Sequence, residues 1–335
     1  MKATKKAVTI ITGSLGSGKT TLLQNLLTHH QLKENIAVIV NEFGKIGLDH
    51  YLLRQAEEKT TLLQGGCICC QSREDLAEEL QNYLFCYEQG DITFDRIIIE
   101  TTGLADPAPI LFTIMTHPIL QHHFVVDGVI TTVDAKNGAM QMRNHETTIK
   151  QISTADTVAL TKIDLVTKEE LAFIRAEIIK INPSCTILNV ENGNVEPSIL
   201  HVASKQHFSN VLPRNNQLTS QTIQSHINSI SFAFLQPLNW NSFGVWLSLL
   251  LYARGENILR VKGLLDVGEA GPIILNGVQH IIHPPIHLHE WPDNTQVSYI
   301  VFITKAIPTD LLKQSLLSFQ TFLGTKVDLL QVHSI

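Results

Sequence analysis

The stretch Gly13-Ser14-Leu15-Gly16-Ser17-Gly18-Lys19-Thr20 constrains the fold of this chain more than any other segment. It matches G-x-x-x-x-G-K-[ST], follows the apolar run AVTIIT and opens the helical run TTLLQNLL. Strand, glycine-rich loop and helix in that order form a phosphate cradle. The glycines let backbone N–H groups curl around an anion, and the new helix adds its positive N-terminal end. Gly13, Ser14, Gly16, Ser17, Gly18, Lys19, Thr20 and Thr21 are therefore the expected nucleotide-binding set. Lys19 is expected to reach the β- and γ-phosphates, and the Thr20 hydroxyl to bind Mg²⁺.

Around this loop the chain alternates short β-rich apolar runs (7–11, 36–40, 96–99, 128–133, 157–160 and 186–188) with longer helical patterns. The alternation predicts an α/β fold, a mostly parallel sheet wrapped by helices. At 335 residues with 44% apolar content the chain fits two domains. The polar stretch LPRNNQLTSQTIQSH suggests the join, so the expected organisation is 1–205, a linker at 206–226, and a smaller α+β domain at 227–335. In the latter, strands are expected at 230–235, 259–265, 272–282 and 297–303, with helices across 242–252 and from Thr309 onward.

A net charge of −6 without a basic stripe argues against a nucleic-acid partner. The longest apolar stretch, VWLSLLLY, is far shorter than the roughly 18 residues a membrane span needs, so no membrane partner is expected. The N-terminus runs straight into the glycine loop, unlike a secretory signal, which points to the cytoplasm.

Two further segments give the nucleotide site its chemistry. The strand RIII ends in Glu100, followed by Thr101-Thr102-Gly103. Glu100 is expected to hold Mg²⁺ or its water shell, and the Gly103 N–H to sense the γ-phosphate, so that Leu104-Ala105-Asp106-Pro107 moves with hydrolysis. Thr161-Lys162-Ile163-Asp164 follows another strand. The Asp164 carboxylate can accept from guanine N1–H and its exocyclic amine, a pair adenine cannot offer, while the Lys162 stem covers the base. Thr161 stands where guanine-binding loops more often carry Asn. Arg54 and Arg73 lack motif context as arginine fingers, so slow intrinsic GTP hydrolysis is expected, with Lys19, Glu100 and Gly103 as its catalytic residues.

Three of the five cysteines form Cys67-Ile68-Cys69-Cys70. An odd, clustered set is unlike a disulfide framework and suits a soft metal such as Zn²⁺ or Co²⁺, or redox chemistry. If the segment is extended, Cys67 and Cys69 can point the same way, with Cys70 elsewhere unless the backbone turns. Two thiolates with outside ligands and three thiolates on a bent loop are both open. His117 follows the Glu100 segment and is a weaker ligand candidate. His287 and His289 alternate along HIIHPPIHLHEW, which reads as a polar hairpin before it reads as a metal site.

Together these motifs resemble the CobW-type, or zinc-chaperone, family of P-loop GTPases, relatives of the urease and hydrogenase nickel-insertion GTPases. The resemblance rests on the P-loop, Asn41-Glu42-Phe43-Gly44, Gly66-Cys67-Ile68-Cys69-Cys70, Glu100 to Pro107, Val133-Asp134-Ala135, TKID, and in the second domain Ile258 to Gly263 and Gly277-Val278-Gln279. It implies a CobW C-terminal-type second domain that recognises clients or self-associates into a homo-oligomer. It also implies a GTP-dependent metallochaperone that carries a transition metal, zinc first and cobalt second, to a client metalloprotein, with Glu42 as an added ligand beside Cys67, Cys69 and Cys70. The alternatives are a cobalt chaperone for cobalamin or a cobalt enzyme, and a regulatory GTPase with redox-sensing cysteines.

Overall fold

A computed structural model describes residues 5–40, 60–61, 73–201, 227–292, 297–322 and 329–334. The linker expected at 206–226 lies outside these residues. Chain contacts divide the protein into two compact units: 1–176 with 185–206, and 177–184 with 207–335.

The first unit is built on seven parallel strands, β1 (Lys6–Gly13), β2 (Ile36–Val40), β3 (Thr60–Thr61), β4 (Arg96–Glu100), β5 (Phe124–Asp134), β6 (Thr157–Thr161) and β7 (Thr186–Asn189). Their spatial order is β3-β2-β4-β1-β5-β6-β7, with every pairing parallel. All six expected strands form. The two-residue β3 was not expected, because Thr60–Thr61 is too short to show periodicity. The central strands are buried on both faces, which explains why β4 reads as the unbroken run RIIIE, buried throughout.

Helices α1 (Lys19–Thr28), α2 (Arg73–Gln89), α3 (Ala108–Thr116), α4 (Leu120–His123), α5 (Gly138–Asn144), α6 (Glu146–Thr154) and α7 (Lys168–Ile181) belong to this alternation. In α1 the leucines at 22, 23, 26 and 27 fall on one face and pack with Ile11, Ile36 and Ile98. Burying four leucines contributes at most roughly 6–12 kcal/mol, an upper bound because the unfolded chain already shields part of that surface. This packing fixes the helix that begins at Lys19. Since every strand runs the same way, the C-terminal ends of β1, β2, β4, β5 and β6 share one edge of the sheet, the usual place for a ligand. The registers Ile11↔Glu100 and Val40↔Glu100 put the ends of β1 and β2 on either side of Glu100.

The second unit carries an antiparallel sheet of β8 (Ile227–Phe234), β9 (Ile258–Leu265), β10 (Ile273–Val278), β11 (Ile281–Ile282), β12 (Ile286–His287), β13 (Ser298–Lys305) and β14 (Leu329–Ser334). The order is β11-β10-β9-β13-β8-β14, with β12 also paired to β10. Helix α8 (Trp240–Arg254) starts at Asn239, whose side chain accepts from the Ser242 N–H at 3.0 Å. With α9 (Thr309–Phe322), it gives the expected α+β mix. Phe232, Phe234, Phe243, Trp246 and Phe302 form the core, as aromatic side chains in such a pattern should.

The expected single strand at 272–282 is two strands joined by a tight turn, in which Gln279 adopts φ 52° without the glycine or asparagine that announces such turns. No helix among the described residues is long and apolar enough to cross a membrane.

Candidate functional site

The expected phosphate end is built on the backbone of the glycine loop and the side chains that brace it. Gly13 and Gly18 hold φ 139° and 95°, conformations that side chains disfavour. A Cβ on Gly13 would collide with the Thr132 carbonyl and lie 2.8 Å from Ser17 Oγ. The Lys19 ammonium is buried and donates to the carbonyls of Gly13 (2.9 Å) and Ser14 (3.1 Å), bridging its own loop. Ser17 Oγ is hydrogen-bonded to Thr132 Oγ1 at 2.6 Å, tying the loop to β5. Thr21 follows on the first turn of α1.

At the end of β4, the Thr20 hydroxyl donates to Glu100 Oε1 at 2.7 Å, with Glu100 1% exposed. The two expected Mg²⁺ ligands, 80 residues apart in the chain, therefore meet. Both are hard oxygen donors, the type Mg²⁺ takes. Next to them, Thr101 donates to Thr12 Oγ1 at 2.8 Å. A Cβ on Gly103 would collide with the Leu15 backbone nitrogen and lie 2.7 Å from Leu15 Cα, so Gly103 rests on the tip of the P-loop.

Helix α6 reaches both loops. Thr148 Oγ1 is hydrogen-bonded to Ser14 Oγ at 2.8 Å, the Gln151 amide donates to the carbonyls of Gly103 (3.3 Å) and Ala105 (3.0 Å), and Lys150 lies 3.4 Å from Asp106. Sequence reasoning missed Thr148 and Gln151. The available signal was the pair of polar residues, Thr148 and Gln151, on the otherwise apolar stripe they share with Ile149 and Ile152 in α6.

The expected base end is built around one carboxylate. Asp134 is 2% exposed and accepts from the N–H groups of Lys136 (2.8 Å) and Asn137 (3.1 Å), the Asn137 amide (2.9 Å) and the Lys162 ammonium (2.8 Å). Burial alone would raise its pKa, but the hydrogen bonds from Lys162, Asn137 and Lys136 outweigh that and hold it below the ordinary carboxylate value. Lys162 adopts φ 54° and starts a short 3₁₀ turn in which Asp164 is exposed. Thr161 donates to the Ser17 carbonyl at 2.7 Å and to the Val133 carbonyl at 3.2 Å. The hydroxyl that stands where Asn is the more usual expectation thus joins the TKID loop to the P-loop.

Glu42, Cys67, Cys69 and Cys70 lie outside the described residues. Among the described residues, no group of three or more His, Cys, Asp or Glu could hold a metal. His117 Nδ1 accepts from the Ile119 and Leu120 N–H groups at 3.3 and 3.5 Å, at the start of α4. His287 is paired with Glu269 at 3.0 Å on an exposed strand, and His289 is exposed in the following loop.

The strand order, P-loop and opposed Thr20 and Glu100 define a P-loop nucleotide-binding protein. The chain belongs to the CobW/HypB/UreG family of P-loop GTPases: residues 7–189 match its nucleotide-binding domain, and residues 227–320 match the C-terminal domain of the cobalamin synthesis protein cobW. It is 32% identical over 309 residues to the zinc chaperone YjiA of Escherichia coli, covering 91% of this chain and 95% of that protein. It is 35% identical over 228 residues to the zinc chaperone CobW of Pseudomonas aeruginosa, covering 58% and 59%. The crystal structure of Zn(II)-bound YjiA GTPase from E. coli is similar with a TM-score of 0.74 at 28% identity, covering 96% of this chain and 99% of that one.

Proposed function

We propose that this chain is a GTP-hydrolysing zinc metallochaperone, in which Cys67, Cys69 and Cys70, with Glu42, hold Zn²⁺ as cargo and the nucleotide state governs its transfer to a client metalloprotein. The observation that carries the reading is the register at the end of β2. Val40 pairs with Glu100, so the chain leaves for Glu42 and the cysteines from beside the acid expected to hold Mg²⁺. The names of the relatives, zinc chaperones along most or half of this chain, support zinc as the metal. Thiolates are soft donors that Zn²⁺ accepts in tetrahedral geometry, and Co²⁺ accepts the same set.

In this reading Gly13, Ser14, Gly16, Ser17 and Gly18 present N–H groups to the phosphates, while Lys19 exchanges its loop carbonyls for β- and γ-phosphate oxygens. Thr20 and Glu100 hold Mg²⁺, which neutralises phosphate charge when bound. The Gly103 N–H senses the γ-phosphate, and its seat on Leu15 makes the P-loop feel any movement of that segment. Lys162 covers the base, Asp164 selects guanine and Thr161 keeps the two loops in register. Among the described residues, Arg96 is buried, paired with Glu34 and Asp127, and sits at the opposite end of β4 from Glu100, so it is not placed to act on the transferring phosphate.

Anaerobic titration of the wild type and a Cys67→Ala/Cys69→Ala/Cys70→Ala variant with Zn²⁺ and Co²⁺ tests the metal half of this function. Zinc affinity should fall at least about 100-fold in the variant, since the loss includes the soft ligands themselves. Equal affinities would leave a regulatory GTPase with incidental or redox-sensing cysteines, and tighter cobalt-specific loading would make cobalt the cargo.

A further inference from the structure

We propose that Gln151 is a positioning residue for nucleotide hydrolysis, a buried amide clamp that sets the path of residues 103–106 and couples it through α6 to the P-loop. The inference rests on the reading that GTP is hydrolysed at this P-loop.

Gln151 is fully buried, and its Nε2 donates to the carbonyls of Gly103 and Ala105, which bracket the exposed Leu104. Two carbonyl acceptors demand the NH₂ side of the amide, so the side-chain orientation is chemically settled. Each carbonyl belongs to a rigid peptide plane, so holding two of them fixes the planes on both sides of Leu104. Gly103 sits in the same arrangement against the Leu15 backbone.

The helix that supplies the clamp is anchored at three points. The Gln151 carbonyl accepts from Thr131 Oγ1 at 2.8 Å, Thr148 one turn earlier is bonded to Ser14 of the P-loop, and Lys150 meets Asp106. Spacing of three residues puts Thr148 and Gln151 on one face, so a single rigid element grips the P-loop and the switch segment at once. Asp106 Oδ1 in turn accepts from the Ala108 N–H at 3.0 Å, so a shift of the segment would be passed to the start of α3.

The Gln151 amide oxygen is buried and accepts no hydrogen bond among the described residues. A buried acceptor left unmade is unfavourable. It gives a second arrangement of the segment, one that offers it an N–H, a reason to form, which is what a switch read by the γ-phosphate needs.

Gln151→Met keeps the length and removes both donors. Its kcat for GTP should fall about 10- to 100-fold, with KM and GDP affinity within about twofold, the split of a group that acts on the chemical step and not on ground-state binding. A wild-type measurement covers the case in which the variant does not fold. Amide hydrogen exchange in segments 103–107 and 146–154 should change together between GDP and a non-hydrolysable GTP analogue. An unchanged kcat in Gln151→Met, a fall in nucleotide affinity that accounts for the whole effect, or independent exchange of the two segments in the wild type overturns the clamp. Absence of GTP turnover by the wild type would instead overturn the proposed function, and the exchange measurement would then decide the clamp by itself.

Discussion

The expected phosphate end and the expected base end of the site are built differently. At the expected phosphate end a glycine loop sets the geometry: glycines at positive φ, a lysine bridging the loop's own carbonyls, and a buried Thr20–Glu100 contact between the start of α1 and the end of β4. At the expected base end, two backbone N–H groups and the Asn137 and Lys162 side chains gather around buried Asp134, with Lys162 38% exposed and Asp164 open to solvent. Phosphate is the same in every nucleotide, so a rigid backbone cradle suffices. A base has to be chosen, and choice needs exchangeable side chains.

Substitutions at each end should therefore fail differently. The largest effect is expected for Lys19→Ala, which removes a fixed charge from the transferring phosphate and should lower kcat about 10²- to 10³-fold in a phosphate-release assay, with ATP and GTP discrimination unaltered. Asp164→Asn should do the reverse, reducing the preference for GTP over ATP by about 100-fold in competition binding while the chemical step persists. Asp134→Asn should destabilise the fold by about 1–2 kcal/mol in urea unfolding, since a buried acceptor loses its charge-assisted bonds. The folded pKa of Asp134 is lowered, so the carboxylate's contribution is present above the unfolded value and lost as pH falls through the folded one. The gap between wild type and Asp134→Asn should accordingly shrink as pH drops below about 3.8. The smallest effect is expected for Thr161→Val, about 1 kcal/mol, because it cuts the hydroxyl bond from the base loop to Ser17. If its effect on GTP affinity exceeded that of Asp164→Asn, the division into two ends would be wrong.

Legibility in the sequence follows the same division. The P-loop, the Glu100 segment and TKID stand out in the sequence because each is a short, local pattern, and the fold sets Thr20 beside Glu100 and Thr161 beside Ser17. The parallel sheet was readable because buried strands appear as apolar runs. Gln151 was not, since its partners lie 48 and 46 residues away and a glutamine on a helix gives no sign of which loop it will meet. Thr161 was noticed as a departure from the usual residue, but its bond to Ser17, 144 residues distant, needed the fold. The strands β3, β11 and β12 are two residues each, too short for periodicity, and the Gln279 turn lacks its usual residue types. For the cysteines, sequence supplied the donor chemistry, and the fold supplies the Val40↔Glu100 register from which their segment departs.

The central claim is that nucleotide state and metal possession are one equilibrium, and zinc affinity measured with GDP and with a non-hydrolysable GTP analogue tests it most directly. A coupling of 1–3 kcal/mol between the sites would appear as an affinity difference of about 5- to 150-fold, with zinc shifting nucleotide affinity by the same factor. The account predicts tighter zinc binding with the GTP analogue and release on passing to GDP. Equal zinc affinity in the two states would contradict it.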